Sequence, residues 1–297
     1  MIEITIDADL CRRDGLCATA CARGILEQDE KGAVPKILET EVEHCFRCGH
    51  CVAICPAGAV SHSHFPEGTV TPVSAEDLPG YDQVLELMRG RRSKREFRDK
   101  PVDGDVIEKV LEAARFAPSG HNEQTTEFVV VRDKKILNEI ASLTAEGMGK
   151  MAGYTRSPIG RIMMRRAMGR RSADYVTELA PELEGLVAMF REGRDLILNN
   201  APALVLFCAD SVGGTFASIN ANLALHNAAL AAETLGLGCF YGGFVVIASE
   251  REGRIARLVG LPETHKIYGA LALGRPRLTY KKWPEREPAR VTWLGGE

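Results

Sequence analysis

An α+β chain in two parts is what the sequence predicts: a small sulfur-rich head, then a larger body of helices and buried strands. Three observations predict it. Seven of the nine cysteines fall at or before Cys55. The stretch from Phe65 to Gly80, FPEGTVTPVSAEDLPG, is rich in Pro, Gly and small polar residues and reads as a linker. Beyond it, amphipathic helical stretches alternate with apolar, β-branched runs suited to buried strands.

The head is organised around Cys45–Pro56, CFRCGHCVAICP. Its spacing, C-x2-C-x2-C-x3-C-P, is the run with which bacterial ferredoxins hold an iron–sulfur cluster, the fourth cysteine ligating a second cluster. A partner run therefore belongs upstream, and Cys11, Cys17 and Cys21 supply it. On the same offsets, Asp14 stands where the second ligand is expected. Crossed ligation assigns Cys45, Cys48, Cys51 and Cys21 to one [4Fe-4S] cluster. It assigns Cys11, Asp14, Cys17 and Cys55 to the other, either [4Fe-4S] with a carboxylate ligand or [3Fe-4S] with one corner vacant. A carboxylate is harder than a thiolate and holds iron more loosely. Zinc would take four ligands from two separated pairs, not seven thiols in interlocked runs.

Flanking pieces fit a small module around these runs. Residues 2–6 alternate as an edge strand does, Ile25–Ile37 brackets a hairpin turn at Asp29–Gly32, and Ala59–His62 reads as a closing strand. With all eight ligand positions filled, His62 and His64 are expected at the surface.

Composition excludes several function classes. The chain has 297 residues, is 45% hydrophobic and 26% charged, and carries a formal net charge of −3. Nothing in it calls for nucleic acid or a membrane. The most apolar stretch, around Ala217–Tyr241, is interrupted by Asn220, Asn222, His226, Asn227 and Glu233. No basic region followed by an apolar one opens the chain, so a cytoplasmic protein with reduced thiols is expected. Residues 1–70 hold 11 acidic and 6 basic side chains, against 40 and 37 in the whole chain, so the head is the acidic part.

In the body, Tyr81–Arg92 and Val106–Phe116 read as helices, Phe128–Val131 and Pro202–Ala209 as buried strands, and Ala217–Leu235 as a long helix. Arg91, Arg92, Ser93 and Arg95 form a basic turn able to grip a phosphate. Cys208 and Cys239 are expected as plain buried thiols. GLGCFYGG follows a helix, so no Rossmann nicotinamide site is indicated.

The motifs RRSKREF (91–97), APSGHNEQ (117–124), FVVV (128–131), HNAALAAETLGLG (226–238), YGGF (241–244) and LALGRP (271–276) together resemble the nitroreductase family of FMN-dependent enzymes. The resemblance runs from about Tyr81 to the end. It gives a division into a ferredoxin-like domain (1–70), a linker (71–80) and a nitroreductase-like α/β sandwich with a central mixed sheet (81–297).

By resemblance, Arg91, Arg92, Ser93 and Arg95 meet the FMN phosphate, ribityl chain and pyrimidine edge, and Arg275 adds a phosphate contact. Pro118, Ser119, Asn122 and Gln124 approach the flavin from the partner subunit of a homodimer. Gly242 and Gly243 bring backbone amides near its N5, and His121 and Tyr241 are the candidate proton donors. Thr125-Thr126 and Gly242 depart from the family's frequent Pro-Trp and glutamate. The basic, Met-containing stretch Lys150–Arg171 is expected as a flavin cap, as a docking face for the acidic head, or as a solvated basic helix.

The activity implied is reduction of a small acceptor (nitroaromatic, quinone or activated alkene) by electrons passed from the clusters to FMN, with an external redox protein as donor. Two alternatives stand beside it. NAD(P)H could feed the flavin and the clusters pass electrons out, or the chain could be a redox sensor or electron-transfer subunit without a substrate of its own.

Overall fold

The computed structural model describes residues 2–295, less the side chains of Arg251 and Glu252. The chain forms two compact units. The first holds residues up to Gly80 together with Ser119–Gln124; the second holds Tyr81–Pro118 and the residues from Thr125 onward.

The first unit contains β1 (Ile4–Ile6), α1 (Leu16–Ala20), β2 (Leu26–Glu27), β3 (Lys36–Ile37), a 3-10 turn (Glu39–His44), α2 (His50–Ile54) and β4 (Val60–His62). Strand β1 pairs antiparallel with β4, and β2 with β3. Edge strand, hairpin and closing strand thus lie where the residue pattern predicts.

The two halves of this unit repeat one conformation at an offset of 34 residues. Arg13 and Arg47 have φ of 58° and 52°, Gly15 and Gly49 of 74° and 75°, and Gly24 and Gly58 of 64° and 63°. Helix α1 starts after Gly15 as α2 starts after Gly49. A left-handed turn at both positions favours a residue without Cβ, and it lets the chain double back around the thiols. Ile4, Cys17, Ile25, Leu26, Cys51 and Val60 make the small core.

The second unit adds helices α3 (Tyr81–Gly90), α4 (Gly104–Arg115), α5 (Lys134–Thr155), α6 (Pro158–Met168), α7 (Arg170–Arg191), α8 (Gly214–Thr234), α9 (Gly243–Glu252) and α10 (Arg254–Leu258). Its strands are β5 (Glu127–Val131), β6 (Ala203–Asp210), β7 (Gly238–Tyr241) and β8 (His265–Gly274). The sheet order is β5-β6-β8-β7. These four strands pair antiparallel; the mixed character comes from a parallel bridge between Ser93 and Cys239.

Strand β6 explains the two-sided core. Leu204, Leu206 and Cys208 point to one face, against α5, α7 and α9 residues such as Ile140, Met148, Leu183 and Val245. Ala203, Val205 and Phe207 point to the other, against Val110 and Ala114 of α4 and Ala221, Leu225 and Ala228 of α8. Alternate residues of a strand face opposite ways, so a strand covered on both sides reads as one apolar run. Fully burying a single Leu or Phe here is worth about 1.5–3 kcal/mol. Strand β5 departs from expectation. Among the described residues it pairs with β6 alone, so it is an edge strand, and Val130 is 37% exposed. Among the described residues no helix is long and apolar enough to cross a membrane.

Candidate functional site

The sulfur centre lies wholly in the first unit. Backbone amides converge on its thiols in matched pairs. Arg13 N–H donates to Cys11 Sγ and Arg47 N–H to Cys45 Sγ, each at 3.3 Å. Ile25 N–H donates to Cys21 Sγ and Ala59 N–H to Cys55 Sγ, again at 3.3 Å. Such bonds stabilise sulfur carrying negative charge, which is the state a metal requires.

The thiols sort into crossed groups. Cys11, Asp14, Cys17 and Cys55 line one small cavity. Burial pushes the Cys17 thiol up, the Ala18 amide opposing, and the neighbouring Cys55 and Cys11 thiols add to the rise. Burial likewise pushes Cys51 up to about 11, opposed by the Val52 amide, with Cys45, Cys48 and Cys21 as the contributing thiols. Each group therefore takes one member from the opposite half. Iron would have to supply the free energy that burial withholds from the thiolates. Among the described residues no three His, Cys, Asp or Glu side chains gather tightly enough for a single metal ion. The ligands of a four-iron cube each bind a different corner and stand further apart. Asp14 also accepts the Leu16 N–H on Oδ1 at 3.1 Å, closing the turn into α1.

His62 is not at the surface. It is 3% exposed, because β4 pairs with β1 at Ile4 and turns the ring inward. Its Nε2 lies 3.5 Å from Cys45 Sγ, and its Nδ1 accepts the His64 N–H at 3.0 Å. His64 is exposed, as expected.

The segment Ser119–Gln124 also belongs to the first unit. Asn122 Nδ2 donates to the Arg47 carbonyl at 2.8 Å, and the His121 ring lies 4.8 Å from the Phe46 ring. Ser119 Oγ accepts the Gln124 N–H at 3.0 Å. His121, Asn122 and Gln124 all have positive φ, near 52–54°. Pro118 falls in the second unit, as does Tyr241, so the two proton-donor candidates do not share a unit.

The second unit gathers the basic turn against β7. Lys94 N–H donates to the Cys239 carbonyl at 3.0 Å, and Lys94 Nζ reaches both oxygens of Glu233 at 2.6 and 2.8 Å. The Arg91 guanidinium lies 5.8 Å from the centre of the Tyr241 ring, and that of Arg95 5.4 Å from the Phe240 ring. Arg275 holds Asp103 Oδ2 through Nη2 at 2.6 Å. Its Nε is buried with no partner among the described residues. A buried guanidinium donor left open in this way fits an anion such as a phosphate.

Tyr241 hydroxyl lies 2.9 Å from His226 Nδ1. Burial pushes its phenol above the ordinary value, with Arg91 opposing, so it keeps its proton at neutral pH. The Gly242 N–H is taken up by the Ala270 carbonyl at 2.8 Å, whereas Gly243 opens α9 with free space where a Cβ would sit.

In Lys150–Arg171, Met151 and Met164 are buried while Met163 is 58% exposed. Its arginines pair with acids on α7: Arg165 with Asp174 and Arg156 with Glu184, each at 2.8 Å. Cys208 and Cys239 are buried thiols, as expected.

Comparison with known proteins supplies the context. The model of the Nitroreductase family matches residues 88–275, and that of the 4Fe-4S dicluster domain matches residues 3–56. A protein of Archaeoglobus fulgidus with the provisional name NADH dehydrogenase/NAD(P)H nitroreductase is 26% identical over 200 residues, covering 66% of this chain and 87% of its own. Iodotyrosine deiodinase 1 of Rattus norvegicus is 26% identical over 73% of this chain and 67% of its own. The crystal structure of a nitroreductase with bound FMN from Bacteroides fragilis superimposes with a TM-score of 0.51, at 22% identity, over 71% of this chain and 98% of its own. That last likeness speaks to fold.

Proposed function

The chain belongs to the nitroreductase family, and from that premise we propose that it is an oxidoreductase in which two iron–sulfur clusters pass electrons to FMN and the flavin reduces a small organic acceptor. The observation that carries this reading is the crossed grouping of the thiols, four candidate ligands to each group, within a match to a 4Fe-4S dicluster domain. Cys45, Cys48, Cys51 and Cys21 would hold one [4Fe-4S] cluster. Cys11, Asp14, Cys17 and Cys55 would hold the other, as [4Fe-4S] or [3Fe-4S].

Arg91, Arg92, Ser93, Arg95 and Arg275 would receive the FMN phosphate and polar edge, a role that the unpartnered Arg275 Nε supports. When bound, the clusters supply single-electron transfer and the flavin couples it to two-electron chemistry. The chain contributes binding, orientation and a held proton. Tyr241, a phenol pushed further above its ordinary value by burial and joined to His226, is the group that would hold that proton. A homodimer is part of the reading: Phe216, Ile219 and Leu223 are 50%, 47% and 40% exposed along α8, a face that a second copy would cover.

The provisional name of the Archaeoglobus relative favours a second reading, in which NAD(P)H reduces the flavin and the clusters carry electrons outward. Anaerobic purification followed by metal and flavin analysis tests the common premise. Iron, sulfide and FMN in the same chain support it, and zinc or a colourless protein overturns it. Rapid mixing then separates the two directions. Bleaching of the flavin by reduced ferredoxin supports the relay, and bleaching by NADH alone supports the outward route.

A further inference from the structure

Among the differences between the two halves of the 34-residue repeat, two bear on the proposed clusters. One is Asp14 against Cys48. The other is Gln28 against His62, and it sets the two thiol groups apart in a second way.

Gln28 Nε2 donates to the Arg13 and Ala33 carbonyls, at 3.0 and 2.8 Å, and not to Cys11. His62, at the equivalent place on β4, turns Nε2 toward Cys45 Sγ at 3.5 Å. The proton's position follows from the other ring nitrogen. His62 Nδ1 accepts the His64 backbone N–H, so it carries no proton, and the neutral ring must bear its proton on Nε2. The N–H therefore points at sulfur. The ring is fixed in that pose by the β1–β4 pairing and by the Phe65 ring, edge-on with centroids 5.3 Å apart. Phe65 in turn packs where a Cβ on Gly49 would sit, 3.0 Å away. His62 is 3% exposed, and low solvent access strengthens such a bond.

We propose that His62 is a positioning residue that raises the reduction potential of the cluster held by Cys45, Cys48, Cys51 and Cys21 relative to its neighbour, through a side-chain N–H···S bond that the other half lacks. A donor on a ligand sulfur withdraws electron density and stabilises the more negative, reduced cluster. The pair would thus be graded by construction, with the His62 side reduced first. This rests on the iron–sulfur reading of the thiols given above.

The test is a potentiometric titration followed by electron paramagnetic resonance, on the full-length protein purified anaerobically. Asp14→Cys, which alters the ligands of the other cluster, identifies which signal is which. His62→Leu is expected to lower the reduced-to-oxidised ratio of one cluster about tenfold at fixed potential, about 59 mV for a one-electron couple, and to leave the other in place. His62→Gln retains a donor amide and is expected to recover part of the shift. Should His62→Leu not assemble, the unaltered chain labelled with ¹⁵N-histidine is expected to show a nitrogen coupling to that cluster, lost in His62→Gln relative to wild type only as the histidine nitrogen is removed. Unchanged midpoints, an equal shift of both clusters, or no such coupling overturns the proposal while leaving the iron–sulfur reading intact. Absence of iron overturns that reading and the proposal with it.

Discussion

Lys94 and Glu233 form a two-pronged ion pair, Nζ lying 2.6 and 2.8 Å from the two carboxylate oxygens, with side chains only 11% and 21% exposed. The pair fastens the basic turn after α3 to the last turn of α8. Removing one charge strands the other in a poorly solvated place, which costs about 1–3 kcal/mol. Glu233→Gln should therefore lower the unfolding free energy by that much, seen as a lower urea midpoint at unchanged slope. The double variant Lys94→Met with Glu233→Gln should recover most of the loss, since neither charge is then left alone.

Gly274 ends β8 under the Phe97 ring. A Cβ there would lie 2.5 Å from Phe97 Cδ1 and 2.8 Å from Pro202 Cδ. Phe97 also stacks with Phe240, centroids 6.1 Å apart, so it cannot retreat freely. Gly274→Ala should cost about 1–3 kcal/mol through overpacking, seen as a lower melting temperature. Gly153→Ala on α5, with open space where its Cβ would sit and no positive φ, is the control and should show no such loss.

The buried thiols of the sheet set a limit at alkaline pH. Burial pushes Cys208 from 9.0 up to about 12 and Cys239 up to about 11, Arg91 opposing the second. The unfolded chain releases these protons near pH 9, while the folded chain keeps them. Their contribution is full below pH 9 and is lost as pH climbs through 11 and 12. Urea midpoints should fall steadily over that window, and Cys208→Ala should fall less steeply. At pH 8, iodoacetamide should leave both thiols of the folded protein unmodified, as read by mass spectrometry.

Asp14 stands where its half-unit counterpart has Cys48. If it is a ligand, Asp14→Cys completes four thiolates around that site. Iron should then be lost several-fold more slowly under ferricyanide oxidation than in the parent chain, because thiolate holds iron more firmly than carboxylate.

Much of this molecule was legible from residue order, for a physical reason: wherever spacing alone decides the outcome, spacing could be read. The cysteine runs, the β2–β3 hairpin and the two-faced apolar run of β6 are of that kind. What escaped was decided through space. His62 looks like any polar residue near a strand end, and only the pairing of β4 with β1 turns it onto Cys45. Strand β7 is four residues between glycines, too short for a period to show. Val130 sits in an apolar run that reads as core, yet it is 37% exposed on the edge strand β5. The placement of Ser119–Gln124 with the first unit has no local signal at all.

The exchange of one sulfur between halves of the head has a consequence for its assembly. Cys21 sits with the second run and Cys55 with the first, so on the proposed ligation each half would borrow a corner it cannot make for itself. A chain cut within the β2–β3 hairpin would yield two fragments, each one ligand short. On that proposed ligation neither fragment could complete a cluster by itself, so iron should be recovered only when the two are combined.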